Sequence, residues 1–233
     1  MRLFLIRHGQ STNNALEDFS QRTVDPLLTP LGEKQAQHLA DYALAHPHQF
    51  ALNEIYASSM VRALQTAQPL ATALGLPIRV WCDIHEFGGM YSDGATEDEK
   101  IGHAGMTRSE MQARFPQALI GDDVTEQGWY DVNLKMESVS HFIMRTVRVL
   151  HALQKRAKED VSIALVSHGL FMDGLMKAIM RQSPTPPAEL FYLFHNTSVT
   201  RVEFHEVMHG FDERIRLHYL NRLQHLPVDM WSA

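Results

Sequence analysis

Leu3-Phe4-Leu5-Ile6-Arg7-His8-Gly9 opens the chain, and Ile163-Ala164-Leu165-Val166-Ser167-His168-Gly169 repeats its form far downstream. Each is a short apolar run that ends in His-Gly, and such runs read as buried strands of a parallel sheet. If the two strands lie parallel in one sheet, both imidazoles leave it at the same carboxyl edge, where open α/β sheets place ligands. Arg7 precedes the first imidazole with a planar guanidinium fork suited to phosphate oxygens. Phosphoryl chemistry on a histidine is the reading these groups suggest.

The chain between and around these runs alternates strand and helix signals. Residues 2–7 form the first strand, and 8–28 a polar loop. Thr29-Pro30 supplies an N-cap and a proline at the first helical position, predicting a helix to about His46 with Leu31, Ala36, Leu39, Ala40 and Ala43 on one face. Residues 54–57 are a short strand. Ser58-Ser59 is expected to cap a helix over 61–74, closed by Gly75 and Pro77 and bent or broken at Pro69. Residues 78–81 are another strand.

Residues 83–135 hold seven glycines and an acidic cluster of Asp93, Glu97, Asp98 and Glu99. They read as irregular apart from one helix, opened by the capping box Thr107-Arg108-Ser109-Glu110 and closed before Pro116. An insertion of that length, about 84–135, is expected to be a lid or rim. A long helix over about 136–158 follows, with Phe142, Val149, Leu150 and Leu153 on one side, then the second His-Gly strand and a helix over 170–180. After Pro184-Thr185-Pro186-Pro187, strands over 199–204 and 215–219 close the pattern, with His209-Gly210 in the turn between them. The expectation is one α/β domain over 1–233, a three-layer α/β/α sandwich on a largely parallel central sheet.

Of the 233 residues, 45% are hydrophobic and 21% charged, which suits a soluble globular chain. The net charge of −6 argues against a nucleic-acid partner, so an anion site has to be a local basic pocket. Cys82 is the one cysteine, which excludes an internal disulfide and a cysteine-rich metal framework and fits a reducing compartment. The apolar run before Arg7 is too short for a signal peptide, and no stretch approaches the roughly 20 apolar residues that span a bilayer. A cytoplasmic location without membrane attachment is expected, and the oligomeric state is left open.

Phosphoryl transfer through histidine needs three things. A neutral imidazole must have its tautomer fixed, cationic donors must hold the non-bridging oxygens, and a carboxyl must protonate the leaving oxygen and later take a proton from water. His8 is the candidate nucleophile, with Arg7 beside it. Arg62 lies in the first turn of the second predicted helix, the one after Ser58-Ser59, where the helix N-terminus adds to its charge. His168 is a further donor. Glu86, in His85-Glu86-Phe87-Gly88-Gly89, lies among apolar and glycine residues, a setting that favours a protonated, donating carboxyl. Guanidinium and imidazolium supply the positive field, so no metal or cofactor is expected.

The stretch Arg7-His8-Gly9-Gln10-Ser11-Thr12-Asn13-Asn14 resembles the RHG signature of the histidine phosphatase superfamily, the phosphoglycerate mutase-like fold. Pro26-Leu27-Leu28-Thr29-Pro30-Leu31-Gly32-Glu33-Lys34-Gln35-Ala36 is similar to that family's entry into its first helix, and Ala57-Ser58-Ser59-Met60-Val61-Arg62-Ala63-Leu64-Gln65-Thr66-Ala67 to its second arginine motif. Val166-Ser167-His168-Gly169 and Asn196-Thr197-Ser198-Val199-Thr200 resemble its second histidine motif and late strand entry. The resemblance implies that His8 is phosphorylated, that Arg7, Arg62 and His168 form the phosphate pocket, and that Asn14 is an additional phosphate or substrate contact. It matches Glu86 to the proton donor of the phosphatase-like branch, with Asp83, Asp93 and Glu97 as alternatives.

Bland readings compete elsewhere. The spacings His46/His48 and His205/His209 do not fall on one helix face and are not expected to bind metal. Cys82 follows an apolar strand and is expected to be packed and inert. Phe87, Met90, Tyr91, Trp129 and Tyr130 either line a substrate cavity or form the insertion's own small core. The cofactor-dependent mutases carry a stretch resembling Asn-Glu-Arg-His-Tyr-Gly, which here reads Ile84-His85-Glu86-Phe87-Gly88-Gly89, although Arg108, Arg114 and Lys100 remain within possible reach. The expected activity is therefore metal-independent hydrolysis of a small phosphomonoester, with a phosphoglycerate mutase and a non-catalytic phospho-ligand module as alternatives.

Overall fold

The computed structural model describes residues 1–96, 99–186, 190–206 and 214–233. The strands are β1 (Arg2–Arg7), β2 (Glu54–Ala57), β3 (Ile78–Val80), β4 (Tyr91–Asp93), β5 (Lys100–Gly102), β6 (Ala118–Leu119), β7 (Ser162–Ser167), β8 (Val199–Phe204) and β9 (Ile215–Arg222). The α-helices are α1 (Pro30–Ala45), α2 (Pro47–Phe50), α3 (Val61–Leu74), α4 (Arg108–Arg114), α5 (Val139–Lys155) and α6 (Gly169–Ile179). Seven strands form one sheet in the order β6-β3-β2-β7-β1-β8-β9, and β4 pairs with β5 apart from it. Pairings from β6 across to β1 are parallel, and β1–β8 and β8–β9 are antiparallel.

Side chains alternate across a strand, and β1 divides its apolar run between two cores. Phe4 and Ile6 join Ile55, Ala57, Ala164 and Val166 beneath Leu39, Ala40 and Ala43 of α1 and Ala63, Leu64 and Ala67 of α3. Leu3 and Leu5 join Ile163, Leu165 and Val202 against Phe142, Val149 and Leu153 of α5 and Phe171, Met172 and Leu175 of α6. Both faces are covered, which makes the three layers and explains why β1 and β7 read as continuous apolar runs. Each fully buried side chain of this kind contributes about 1.5–3 kcal/mol.

Several local expectations are corrected. Helix α3 starts at N-cap Met60 without a side-chain cap bond. Asp25, distant in sequence, supplies the cap instead, its two carboxylate oxygens accepting the Val61 N–H at 3.1 and 3.2 Å. Pro69 does not break α3, because the helix is buried along most of its length between α1 and the sheet. The stretch 83–135 is less irregular than expected: it forms the β4–β5 hairpin and lends β6 to the sheet edge beside β3. Two- and three-residue strands have too few alternations to register as a pattern. Helix α5 is shorter than the predicted 136–158, starting at the Ser138 cap, and β9 extends to Arg222. The capping box at Thr107 is present. Glu97, Asp98, Pro187 and the turn at His209-Gly210 lie outside the described residues.

The first turn of α1 presses directly on the loop after β1. A Cβ added to Gly32 would stand 2.1 Å from the Gln10 carbonyl oxygen, and one on Gly9 would stand 2.6 Å from the Gly32 oxygen. Only glycine admits that backbone-to-backbone contact. Gly32→Ala is expected to destabilise by about 1–3 kcal/mol, lowering Tm by roughly 2–10 °C, with loss of activity exceeding the loss of folded protein because the loop carrying His8 must move. Thermal unfolding and turnover of the same preparation check this.

Candidate active site

The parallel register sets Arg7 opposite Ser167, so His8 and His168 each stand one residue beyond the ends of adjacent strands. The His8 N–H donates to the Ser167 carbonyl at 2.9 Å. The two imidazole rings lie 5.1 Å apart between centroids, tilted by 56°. The loop carrying His8 is tied down from three directions. Thr197 N–H donates to the Arg7 carbonyl at 3.0 Å, the Asn196 side-chain amide to the His8 carbonyl at 3.0 Å, and Gly9 N–H to Thr66 Oγ1 at 2.9 Å. Asn196 is anchored in turn, its Oδ1 accepting from Ser232 Oγ, while the Gln35 amide donates to Ser232 Oγ and the Met230 carbonyl.

His8 Nδ1 lies 2.6 Å from its acceptor, the Gly9 carbonyl, so the proton sits on Nδ1 and the lone pair on Nε2. Arg62 Nε donates to that Nε2 at 3.2 Å, a geometry that requires an unprotonated nitrogen. Burial, then the charges of Arg62 and Arg7, hold the His8 pKa well below the ordinary imidazole value. Arg62 is itself buried at the start of α3, its Nη1 3.7 Å from Asp25. Burial pushes the Asp25 carboxyl up to about 6 against the opposing pull of Arg62 and the Val61 N–H. Arg7 donates through Nη1 to the Phe194 carbonyl at 2.5 Å, and burial lowers its pKa to about 10. Its buried Nε has no hydrogen-bond partner among the described residues.

A cavity of about 470 Å³ opens on these groups, lined by Arg7, His8, Asn14, Arg62 and Glu86 together with Ser11, Asn13, Ser20, Arg22, Thr23, Phe87, Tyr91 and Met136. Asn14 Oδ1 accepts from Ser11 N–H and Oγ, which turns the amide NH₂ into the group available to an anion. Glu86 is not in the apolar surroundings expected of it. Its Oε1 accepts from Phe87 and Phe171 N–H at 2.9 Å each, and Oε2 from Leu170 N–H at 3.3 Å, so the carboxyl sits on the N-terminus of α6. His168 does not line the cavity. Its ring packs behind His8, with Nε2 2.8 Å from Ser58 Oγ and Nδ1 buried without a partner among the described residues.

Of the alternatives to Glu86, Asp83 is engaged by Arg148 outside the cavity and Asp93 lines it while paired with Lys100. Among the candidate cavity-lining residues, Phe87 and Tyr91 reach the cavity, whereas Met90, Trp129 and Tyr130 pack into the core. Cys82 is half-buried with its thiol pushed up by burial and by Asp123, an unreactive setting. Among the described residues no three histidine, cysteine or acidic side chains cluster as metal ligands, and no helix is long and apolar enough to cross a membrane. Thr66, Asn196, Asp25 and Arg22 were not assigned from sequence. Thr66 had a signal, lying four residues after Arg62 on the same helix face.

A model of the histidine phosphatase superfamily (branch 1) matches residues 3–212. A probable phosphoglycerate mutase, GpmB of Yersinia enterocolitica, is 27% identical over 206 residues, covering 88% of this chain and 86% of that protein. The PE-PGRS family protein PE_PGRS11 of Mycobacterium tuberculosis is 38% identical over 89 residues, but the match covers 38% of this chain and only 15% of that longer protein. Among solved structures, phosphoserine phosphatase of Entamoeba histolytica in complex with 3-phosphoglyceric acid superposes with a TM-score of 0.61 at 26% identity, covering 97% of this chain and 99% of that one.

Four buried imidazoles, those of His8, His85, His168 and His225, have pKa values held below 6.5 chiefly by burial, His225 at about 4. Between the folded and unfolded values the unfolded chain binds more protons, so these groups stabilise fully above pH 6.5 and lose that contribution as pH falls. Each changes stability by up to about 1.4 kcal/mol per pH unit within its window. Asp25 acts in the opposite sense between its ordinary value and about 6, but it is one group against four. Tm is expected to be lower at pH 5 than at pH 7; equal values would mean that the folded protein accommodates charged imidazoles at these sites.

Proposed function

The chain belongs to the histidine phosphatase superfamily, and on that footing we propose that it is a metal-independent phosphatase that hydrolyses a small phosphomonoester through a phosphohistidine on His8. The observation that carries this reading is the His8 tautomer, with Nδ1–H held by the Gly9 carbonyl and the Nε2 lone pair facing Arg62. Nε2 attacks phosphorus as the bond to the ester oxygen breaks, and Glu86 gives that oxygen a proton. Arg62 passes its N–H from Nε2 to a phosphoryl oxygen as the nitrogen is consumed. Arg7, Arg62 and the Asn14 amide hold the non-bridging oxygens. Behind the nucleophile, His168 packs its ring against His8 and meets Ser58 Oγ at its Nε2. Water then attacks the phosphohistidine, Glu86 takes its proton, and inorganic phosphate leaves with His8 neutral again.

Hydrolysis is favoured over mutase activity by what the cations from residues 84–135 do. Arg108 is spent on the carbonyls of Ile120, Gly121 and Val124, and Arg114 lines a different cavity beside Asp25. Lys100 pairs with Asp93. The cavity beyond the phosphate groups is lined by Asn13, Ser20, Arg22 and Thr23 on one side and Phe87, Tyr91 and Met136 on another, which suits a small organic phosphate of mixed polarity. The mutase relative keeps a second reading in play. Incubation with 3-phosphoglycerate and catalytic 2,3-bisphosphoglycerate separates the two, since isomer formation without free phosphate is a mutase result.

His8→Ala is expected to reduce phosphate release by about three orders of magnitude or more with the fold retained, and to abolish an acid-labile, alkali-stable phosphoryl label. Glu86→Gln should cost on the order of a hundredfold with an alkyl phosphate and much less with 4-nitrophenyl phosphate, whose leaving group needs little protonation. Turnover should persist in EDTA, and full loss there would overturn the metal-independent mechanism.

A further inference from the structure

Glu86 lies on no regular element; it follows a short 3₁₀ turn, Cys82–Ile84, and precedes Gly88 and Gly89, both at positive φ. A loop of that kind does not hold a carboxyl in place by itself. The α6 N–H groups of Leu170 and Phe171 hold the carboxyl itself, and a buried guanidinium on α5 holds the loop's backbone from behind. Arg145 Nη1 donates to the carbonyls of Asp83 at 2.8 Å and His85 at 2.9 Å, the residues leading into Glu86. Its Nε and Nη2 donate to the two oxygens of Glu137 at 2.8 and 2.6 Å. Glu137 closes the grip on the other side, its own N–H donating to the Gly88 carbonyl at 2.9 Å. Arg145 is 3% exposed, and its guanidinium carbon lies 5.5 and 5.1 Å from the ring centroids of Phe142 and Phe171. It lines a second cavity behind the loop and does not reach the one that holds His8.

We propose that Arg145 is a positioning residue for the proton transfer, its clamp with Glu137 setting where the Glu86 carboxyl stands relative to the leaving oxygen. The proposal rests on the reading of Glu86 as proton donor. Arg145 fixes two carbonyls before Glu86 and the Glu137 N–H fixes one after it, so a change in that pair shifts the backbone from which the Glu86 carboxyl reaches the α6 N–H groups, while Arg7, His8 and Arg62 keep their own anchors. Displacements of about 1 Å in such a group cost on the order of a hundredfold in rate. An ordinary buried ion pair with a structural role alone would lower stability without sorting substrates by leaving group.

The test is a leaving-group comparison on the full chain, with kcat and KM for an alkyl phosphate and for 4-nitrophenyl phosphate in Arg145→Lys, Glu86→Gln and the double variant. Arg145→Lys is expected to lower kcat for the alkyl ester by about tenfold or more, and for the nitrophenyl ester by less than about threefold, with KM little changed. In the Glu86→Gln background the same substitution should add almost nothing, because the two residues act on one step. Equal losses on both esters, or full additivity in the double variant, overturn the proposal while leaving Glu86 as the donor. A Glu86→Gln variant that fails to discriminate the esters overturns the donor reading and the proposal together. Should Arg145→Lys not fold, Glu137→Gln, which keeps a hydrogen-bonding partner for the guanidinium, is held to the same outcomes.

Discussion

The pairing of Arg7 with Ser167 across two parallel strands is the constraint on which the site depends. A slip of one residue between β1 and β7 would turn the side chains of one strand to the opposite face and separate the imidazoles. The two cores make that slip costly, because Phe4 and Ile6 would exchange places with Leu3 and Leu5 against different helices. Hydrophobic packing therefore sets the register, and the register sets the distance between His8 and His168. The polar work at the strand ends, from Thr197, Asn196 and Thr66, refines a position that the cores have already decided.

Charge in the site is held with little compensation. Arg62 is buried and Arg7 half-buried beside a neutral imidazole, with Asp25 at 3.7 Å from Arg62 and the Glu86 carboxyl on the cavity wall. Burying cations without close counter-ions costs stability. The same arrangement is complementary to a tetrahedral dianion, so a phosphoryl group would relieve part of the cost. Elsewhere the molecule pairs its buried cations closely, as Lys177 with Asp173 at 2.7 Å and Arg145 with Glu137 at 2.6 Å. The contrast separates the two arginines that line the cavity beside His8 from the structural ones.

The sandwich, the long helices and the two strand ends were legible because they rest on local signals. Thr29-Pro30 and the Thr107 capping box act within one turn, and the β1 and β7 runs state their own burial. What escaped reading depends on residues that meet only in the folded chain. The cap of α3 comes from Asp25, the surroundings of Glu86 from the N-terminus of α6, and the Ser58 hydroxyl serves His168 instead of capping a helix. Arg145 had left a trace: it falls three residues after Phe142 and four before Val149, a cation on the apolar face of α5. A charge in that place needs a buried partner, and Glu137 is it.

The contacts from Met230 and Ser232 onto Gln35 and Asn196 give the last few residues an influence out of proportion to their exposure. Through Asn196 they brace the carbonyl of His8 itself. Carboxypeptidase trimming back to Trp231 would therefore take away a strut of the loop that carries His8 while leaving both cores intact. For assays of this protein the amino-terminal side is no safer, since the Met1 ammonium donates to the Phe204 and Ala157 carbonyls, and a cleavable handle is the sound choice at either end.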